Sequence, residues 1–256
     1  MASYRNLAAN LIGVMAVMAC LGVAPVKAAD GKNVAKPDAK AIEKIVREYL
    51  LKNPGIINEA LEAHQRNVTE AEQQAVRHTI QERQNDLRND PNSVVGGNGA
   101  GDVTVVEFFD YRCGVCKRLH PIVGRVVKLD GKVRRVYKEW PILGPQSILA
   151  ARAAIASRKQ GDAKYLKFHN SLMVARQALS SSVIMTIAAN AGLDTKKLTR
   201  DMKAPEIDKI LRANYDLARA LKLTGTPSFL IGDTLLRGGR DAETMLNIVR
   251  DERRKG

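Results

Sequence analysis

Two cysteines three positions apart are the residues in this sequence with the clearest chemistry. Cys113-Gly114-Val115-Cys116 follows an apolar run typical of a buried strand and precedes a helical pattern. At the first turn of a helix, unpaired backbone N–H groups and the positive end of the helix dipole favour a thiolate over a thiol. We therefore predict that Cys113 is a nucleophile near neutral pH. Cys116, one turn further along the helix, would resolve the disulfides that Cys113 forms.

A cysteine pair at this spacing has other known uses, and the rest of the sequence argues against most of them. A closed zinc site needs about four protein ligands, and the chain has three cysteines in all. Covalent haem attachment needs a histidine after Cys116, where the chain has Lys117. We expect no cofactor and no resident metal. Cu(I) binding by the two thiolates and a purely structural disulfide stay open as alternatives.

The predicted strand before the cysteine pair contains an unusual acid. Residues 103–109 are apolar except for Thr104 and Glu107, and a lone carboxylate is costly to bury. We therefore expect Glu107 to have either a partner or a chemical task. Residues 133–139 form the next predicted strand, and Lys138 on it is the candidate counter-charge. A pair that only neutralises itself is the alternative to a catalytic one.

The first 28 residues are predicted to be a signal peptide. Arg5 precedes an apolar run over residues 7–23, which is shorter than a full bilayer span. The small residues that follow predict cleavage after Ala28 and export to the periplasm. Residues 17–20 (Val-Met-Ala-Cys) resemble a bacterial lipobox, which would instead leave Cys20 lipid-modified and the protein anchored to a membrane.

The composition limits the class of protein. At 256 residues, 45% of them hydrophobic, the chain can bury one sizeable domain and a smaller appendage. Its formal charge of +14 favours anionic surfaces or acidic polypeptides. Only 4% of the residues are aromatic, and no basic block has interleaved aromatics, so we expect no nucleic-acid partner. With the leader removed, Cys113 and Cys116 remain, and they are too close in sequence for a disulfide between them to hold a distant loop in place.

Helical periodicity predicts an N-terminal helical region over residues 38–90. Its apolar residues recur at steps of three and four, so the region either forms a homo-oligomer through a weak coiled coil or packs on the main domain. Asn53 is the predicted N-cap of its second helix, with Pro54 at the first helical position. Four glycines make residues 91–101 a predicted flexible linker and the domain boundary.

Residues 102–256 are predicted to form one α/β domain. Its first two strands, joined by the helix that follows Cys113, make a βαβ unit. Residues 147–221 are almost entirely helical in pattern and are the predicted helical insertion. Two short apolar runs on either side of Gly232 predict an antiparallel hairpin, and residues 241–253 a final helix.

Three segments resemble a known family. Residues 106–116 (Val-Glu-Phe-Phe-Asp-Tyr-Arg-Cys-Gly-Val-Cys) resemble the active-site segment of DsbA-like thiol-disulfide oxidoreductases of the thioredoxin superfamily, and residues 225–229 (Gly-Thr-Pro-Ser-Phe) resemble their cis-proline loop. Residues 38–66 resemble the N-terminal region of the ScsC-like branch, which is linked to copper tolerance. The resemblance implies an α/β thioredoxin fold with an inserted helical subdomain and an N-terminal helical extension.

The resemblance also implies roles for individual residues. Gly225, Thr226 and Pro227 would form a substrate-binding loop, with a cis Thr226–Pro227 peptide bond beside the cysteines and backbone groups that pair with an extended client. An acid at the place of Glu107 relays protons for the buried cysteine in this family, which makes Glu107 and Lys138 candidate catalytic residues. The implied partners are exported cysteine-containing polypeptides and a membrane redox partner of unknown identity.

One departure from the family bears on the redox potential. Its strongly oxidising members carry Pro-His between the cysteines, and that histidine helps stabilise the reduced thiolate, which Gly114 and Val115 cannot do. We therefore expect a potential of about −180 mV rather than about −120 mV. The predicted function is disulfide exchange on exported proteins, as an isomerase or reductase or as an oxidase.

Overall fold

The structure is a computed structural model that describes residues 38–255. The predicted signal peptide, its cleavage site after Ala28 and the lipobox cysteine Cys20 lie outside the described residues. The chain divides into two compact units, one ending at Glu59 and the other beginning at Ala60. Within residues 38–255, no helix is both long enough and apolar enough to cross a membrane.

The first unit contains helix α1, Ala39–Lys52, and the start of helix α2, Gly55–Glu82. The Asp38 side chain caps α1 by accepting a hydrogen bond from the Lys40 backbone N–H at 3.2 Å. Asn53 was expected to cap the next helix, but it ends α1 instead, because its N–H donates to the Tyr49 carbonyl at 2.9 Å. None of the α1 side chains is buried.

The second unit is built on a five-stranded sheet with the strand order β1-β3-β2-β4-β5. Strands β2 and β3 are parallel, and the other neighbouring pairs are antiparallel. The central position of β2 explains its almost wholly apolar sequence, since both of its faces are covered. The strands are β1 (Val95–Gly97), β2 (Val103–Phe109), β3 (Val133–Glu139), β4 (Ser228–Ile231) and β5 (Thr234–Arg237).

Helices cover both faces of the sheet. Helix α4 (Gly114–Asp130) connects β2 to β3, as the βαβ pattern predicts, and five helices over residues 145–220 form the inserted subdomain between β3 and β4. These five are α5 (Pro145–Ser157), α6 (Asp162–Val174), α7 (Ser181–Asn190), α8 (Thr195–Asp201) and α9 (Pro205–Ala220). The remaining helices are α3 (Gln84–Arg88) and α10 (Ala242–Lys255).

Alternation along β2 assigns its side chains to two separate cores. Val105 packs in a cluster with α4 and α10, and Phe109 in a cluster with the inserted helices, so the odd-numbered side chains face these elements. Val106 and Phe108 point the other way, into a cluster with α9 and the second half of α2. Glu107 therefore belongs to the face that α4 covers.

The glycine-rich segment is part of the sheet and differs from the predicted flexible linker over residues 91–101. Val95–Gly97 is strand β1, which pairs antiparallel with β3. Its glycines permit close packing, since a Cβ on Gly96 would stand 2.8 Å from the Tyr137 hydroxyl. Gly97 has a φ of +69°, a conformation that side-chain-bearing residues rarely adopt. Glycine density thus marks a tightly packed edge strand here.

Substitutions in this segment should separate a packed strand from a linker. Gly97→Ala is expected to lower the free energy of unfolding by about 2 kcal/mol, because of its positive φ and because the new Cβ would stand 2.5 Å from the Val133 carbonyl oxygen. Gly99→Ala is the matched control, since a Cβ there meets nothing within 4 Å. Urea unfolding measures both. Equal, small changes in the free energy of unfolding for both variants would mean that the segment is a flexible linker.

Candidate active site

Cys113 lies where the central strand gives way to a helix. It is the N-cap of α4, with extended backbone angles of φ −69° and ψ 114°. Its sulfur accepts a hydrogen bond from the Cys116 backbone N–H at 3.4 Å, as an N-cap side chain does. Both cysteines are free thiols, and Cys116 is fully buried one turn below. The structure therefore brings the two predicted residues together in the predicted arrangement.

The two thiols have very different acidities. A hydrogen bond from the Cys116 thiol, then one from the Thr226 side chain and then the backbone N–H groups at the helix start lower the pKa of Cys113 to about 5, against the opposing effect of burial. The same hydrogen bond, together with burial, raises the pKa of Cys116 above its ordinary value. Near pH 7, Cys113 is a thiolate and Cys116 keeps its proton. This division suits a nucleophile and a resolving thiol.

Asp110 holds the turn that presents Cys113, and sequence reasoning did not single it out. Its carboxylate is buried and accepts from the Arg112 N–H at 2.7 Å and from the Ile142 and Leu143 N–H groups at 2.9 and 3.0 Å. Its carbonyl accepts from the Cys113 N–H at 3.0 Å. An aspartate that follows a strand and bonds to the backbone two residues on is a known turn signal, which could have identified it.

The loop over residues 225–227 reaches the same sulfur from the other side. The Thr226 carbonyl oxygen lies 3.2 Å from the Cys113 sulfur, which donates to it as a thiol. The Thr226–Pro227 peptide bond is cis, and the Ser228 hydroxyl donates to the Gly225 carbonyl at 2.8 Å. Because β4 begins at Ser228 and pairs with β2, the sheet places this loop beside the start of α4.

The two residues between the cysteines carry no ionisable group. Both Gly114 and Val115 are exposed. The nearest atom to a Cβ built on Gly114 would be Nη1 of Arg118, at 3.5 Å. A charged group therefore lies beside the dipeptide even though the dipeptide itself is neutral.

Glu107 has a buried cationic partner, but it is Arg135 and not Lys138. The Arg135 guanidinium donates to Glu107 Oε2 through Nε at 3.0 Å and through Nη2, and both side chains are almost inaccessible to solvent. Lys138 instead donates to Asp90 at 2.6 Å. The prediction that Lys138 is the counter-charge is wrong for a geometric reason.

The reason is the alternation of side chains along a strand. Glu107 stands opposite Tyr137 in the β2–β3 register, and Lys138 stands opposite Phe108. Lys138 therefore points to the other face of the sheet, whereas Arg135 shares the face of Glu107. Counting positions along both strands could have identified Arg135 from the sequence. Glu107 Oε1 has no hydrogen-bond partner among the described residues.

Two histidines that sequence reasoning missed complete this buried region. Tyr111 Oη and His169 Nδ1 are 2.9 Å apart, and the rings of His120 and His169 lie 5.3 Å apart. Burial, followed by the nearby charge of Arg135, lowers the pKa of His120 to about 4 and lowers that of His169 well below its ordinary value. Both rings are neutral near pH 7, so the surroundings of Glu107 are polar but carry few charges.

The described residues offer few ligands for a metal ion. No group of three or more His, Cys, Asp or Glu side chains within residues 38–255 is placed to hold one. A Cu(I) ion bound at the cysteine pair would have Cys113 and Cys116 as its sulfur ligands.

Comparisons with known proteins agree with this geometry. A thioredoxin family matches residues 89–251, and the family of the copper resistance protein ScsC N-terminal domain matches residues 38–71. The chain is 25% identical over 150 residues to a probable disulfide bond formation protein D from Bacillus anthracis, covering 54% of this chain and 69% of the relative. It also matches Na(+)/H(+) antiporters, of which it covers about a quarter of the length.

Solved structures extend the similarity to the fold. A thioredoxin-like oxidoreductase from Silicibacter pomeroyi DSS-3 is 46% identical and has a TM-score of 0.64, over 67% of this chain and 98% of that one. A linker-deletion mutant of ScsC from Proteus mirabilis is 26% identical with a TM-score of 0.65, over 87% of this chain and all of that one. The chain therefore belongs to the thioredoxin family, in the ScsC-like branch of its DsbA-like thiol-disulfide oxidoreductases.

Proposed function

We propose that this protein is exported to the periplasm and there reduces or isomerises disulfides in exported polypeptides through Cys113. The observation that carries the proposal is the lowered pKa of Cys113, about 5, at the N-terminus of α4. Such a thiol is fully ionised at neutral pH, so it attacks disulfides and also leaves them readily. The second property is needed wherever a wrong disulfide must be broken and remade.

The first chemical step is attack by the Cys113 thiolate on one sulfur of a client disulfide. The client S–S bond breaks as the bond from Cys113 forms, and one client sulfur leaves as a thiolate. A client backbone running beside residues 225–227 would be held in an extended conformation by main-chain hydrogen bonds. The product is a mixed disulfide between Cys113 and the client.

Two routes lead out of the mixed disulfide. In isomerisation, another client thiolate attacks the client sulfur, and Cys113 leaves as a thiolate with no net redox change. In reduction, Cys116 loses its proton and attacks the Cys113 sulfur, so that the second client thiolate is released and two electrons pass from this protein to the client. A membrane dithiol partner would then reduce the Cys113–Cys116 disulfide.

The reductive route requires a base, and Glu107 is our candidate. The raised pKa of Cys116 means that its proton must be removed before it attacks. Glu107 is buried on the face of β2 that α4 covers, and its Oε1 has no partner among the described residues. Its Oε2 is held by Arg135, which fixes the carboxylate while Oε1 stays available.

The first unit supports assembly of several copies. Exposed apolar side chains line one face of α1, with Ile45 at 65%, Val46 at 49% and Tyr49 at 58% exposure. Contiguous exposed apolar surface on a helix marks an interaction site. We propose that residues 38–90 form the homo-oligomer, with α1 as its apolar seam. An assembly presents several catalytic domains to one client, which favours isomerisation or reduction.

The acidity of Cys113 predicts its reaction with iodoacetamide. The alkylation rate should rise tenfold per pH unit up to about pH 5 and be constant above about pH 6, because only the thiolate reacts. Cys116→Ala should raise the midpoint, since the Cys116 hydrogen bond is the largest cause of the low pKa. Mass spectrometry of the labelled protein measures the rate, with Cys113→Ser as the unreactive control. A midpoint near 9 in the unsubstituted protein would refute the proposal.

Glu107→Gln tests the proton acceptor. Resolution of the mixed disulfide should slow by about a hundredfold, while attack by Cys113 continues, so that the Cys113–client adduct accumulates. Acid quenching followed by mass spectrometry counts that adduct. Asp90→Asn is the matched control, because it also leaves one cation of a buried ion pair without its partner. Equal accumulation in both variants would show a structural effect and exclude Glu107 as the base.

Charge placed on the seam of α1 tests the assembly. Ile45→Glu combined with Val46→Glu should weaken self-association at least about tenfold, since burying either carboxylate in an apolar contact is costly. Lys44→Glu, on the opposite side of α1, is the control and should leave the mass unchanged. Sedimentation equilibrium of the mature chain measures the mass. A monomeric unsubstituted chain would contradict the proposal.

A further inference from the structure

A groove beside the first turn of α4 is lined by positive charge. Its volume is about 630 Å³, and one wall comes from the end of α6 and the loop after it. Four cationic residues line it, and none of its lining residues is acidic. Val174, which is 67% exposed, gives the wall an apolar edge. The cations are Arg112, Lys117, Arg118 and Arg176.

Two of these cations are used to build the groove. Lys117 Nζ donates to the Leu172 and Ala175 carbonyls at 2.7 and 2.8 Å, so it fastens the end of α6 to α4. Arg112 donates to the Leu143 carbonyl and so supports the loop after β3. Their hydrogen bonds explain why the walls hold this shape.

The other two cations have no such task. Arg118 and Arg176 are exposed, and neither guanidinium forms a hydrogen bond or an ion pair with any residue in the range 38–255. By contrast, Arg253 is held by both Asp102 and Asp130. A guanidinium offers paired donors that match a carboxylate. Two of them facing one groove without an acid form a surface complementary to negative charge.

The groove also borders the segment that carries the reacting sulfur. Arg112 directly precedes Cys113, and Nη1 of Arg118 stands 3.5 Å from where a Cβ of Gly114 would be. An extended chain advances about 3.3 Å per residue. A carboxylate two to four residues from the client cysteine would therefore come within reach of Arg118 while that cysteine is bonded to Cys113, and Arg176 lines the same groove.

We propose that this groove selects clients whose reacting cysteine is flanked by acidic residues. The inference rests on the proposed function and specifies its substrate class. Without the groove, a client carboxylate near the Cys113 thiolate would be repelled by it. The two arginines offset that repulsion and steer acidic segments toward the sulfur, an effect that weakens as salt screens the charges.

The test uses the full mature chain in its disulfide form and two thiol peptides, in which the cysteine is followed by three glutamates or by three glutamines. Each peptide thiolate attacks the Cys113 sulfur, and the bond to Cys116 breaks. The measured rate for each peptide is divided by the fraction of its thiol that is ionised at the pH of the assay. A titration of that peptide gives this fraction. The glutamate peptide should react about tenfold faster at low salt, and the two rates should converge at high salt.

The variant Arg118→Gln with Arg176→Gln should bring the ratio of the two peptide rates close to one. Arg212→Gln with Arg219→Gln, which removes the same charge from the exposed side of α9, should keep the ratio of the unsubstituted protein. A ratio lost equally in both variants, or kept in both, would overturn the proposal. Because ratios are compared, a change in the reactivity of Cys113 itself cancels.

Two further measurements close the test. Glutathione and 2-mercaptoethanol are compared in the same way, and a glutathione preference as large as that of the glutamate peptide would overturn the assignment to polypeptides. The glutamine peptide reports on the proposed function by itself. If the unsubstituted protein does not react with it at all, the exchange activity fails, whereas normal exchange without a preference for glutamate overturns only the groove.

Discussion

The structure depends above all on keeping a negative charge on one sulfur that is almost wholly buried. Three separate elements converge on Cys113: the end of β2, the first turn of α4 and the loop before β4. The helix start supplies backbone N–H groups and the loop supplies the Thr226 side chain, and both lower the pKa of this sulfur. Asp110 links them by fixing the turn and the start of the chain after β3. The strongest local interaction is the hydrogen bond with Cys116, which lowers one pKa and raises the other. One hydrogen bond therefore favours both the ionised form of Cys113 and the protonated form of Cys116.

Two buried ion pairs on opposite faces of the sheet reinforce this arrangement. Glu107 with Arg135 lies under α4, and Lys138 with Asp90 joins the other face to the segment before β1. Buried pairs of this kind contribute little net stability, because desolvation offsets the attraction, but breaking either one is costly. Their effect is to fix the β2–β3 register, since a shift by one residue would leave the buried charges of Glu107, Arg135 and Lys138 without their partners. The register in turn fixes the distance between the strand ends that carry Cys113 and Trp140.

Strong local patterns allowed most of the fold and the reacting pair to be predicted from the sequence. Strands β2 and β3 have the predicted bounds because they are buried on both faces, and the cysteines were placed correctly because a strand-to-helix transition is visible in the sequence. Strand β1 was missed because a segment rich in glycine has the composition of a linker. The structure shows that glycine is needed at Gly96 because the Tyr137 side chain packs against it, and at Gly97 because its φ is positive. The error at Lys138 has another origin. The prediction matched opposite charges but did not take into account that side chains alternate between the two faces of a strand. Arg135 lies on the same face of the sheet as Glu107, whereas Lys138 lies on the other.

The acidity of Cys113 also bears on the direction of exchange. Its pKa of about 5 lies between the values of about 7 for the reactive cysteine of thioredoxin and about 3.5 for that of DsbA, so the reduced form is stabilised only in part. A strong oxidant needs a thiolate so stable that it rarely attacks, and a strong reductant needs one that rarely leaves. A thiolate of intermediate stability can do both, which is what repeated breaking and remaking of client disulfides requires. The proposed assembly through α1 and the proposed recognition of acidic clients by the cationic groove would act on the same step, because both would raise the local concentration of client sulfur around a nucleophile that releases it again.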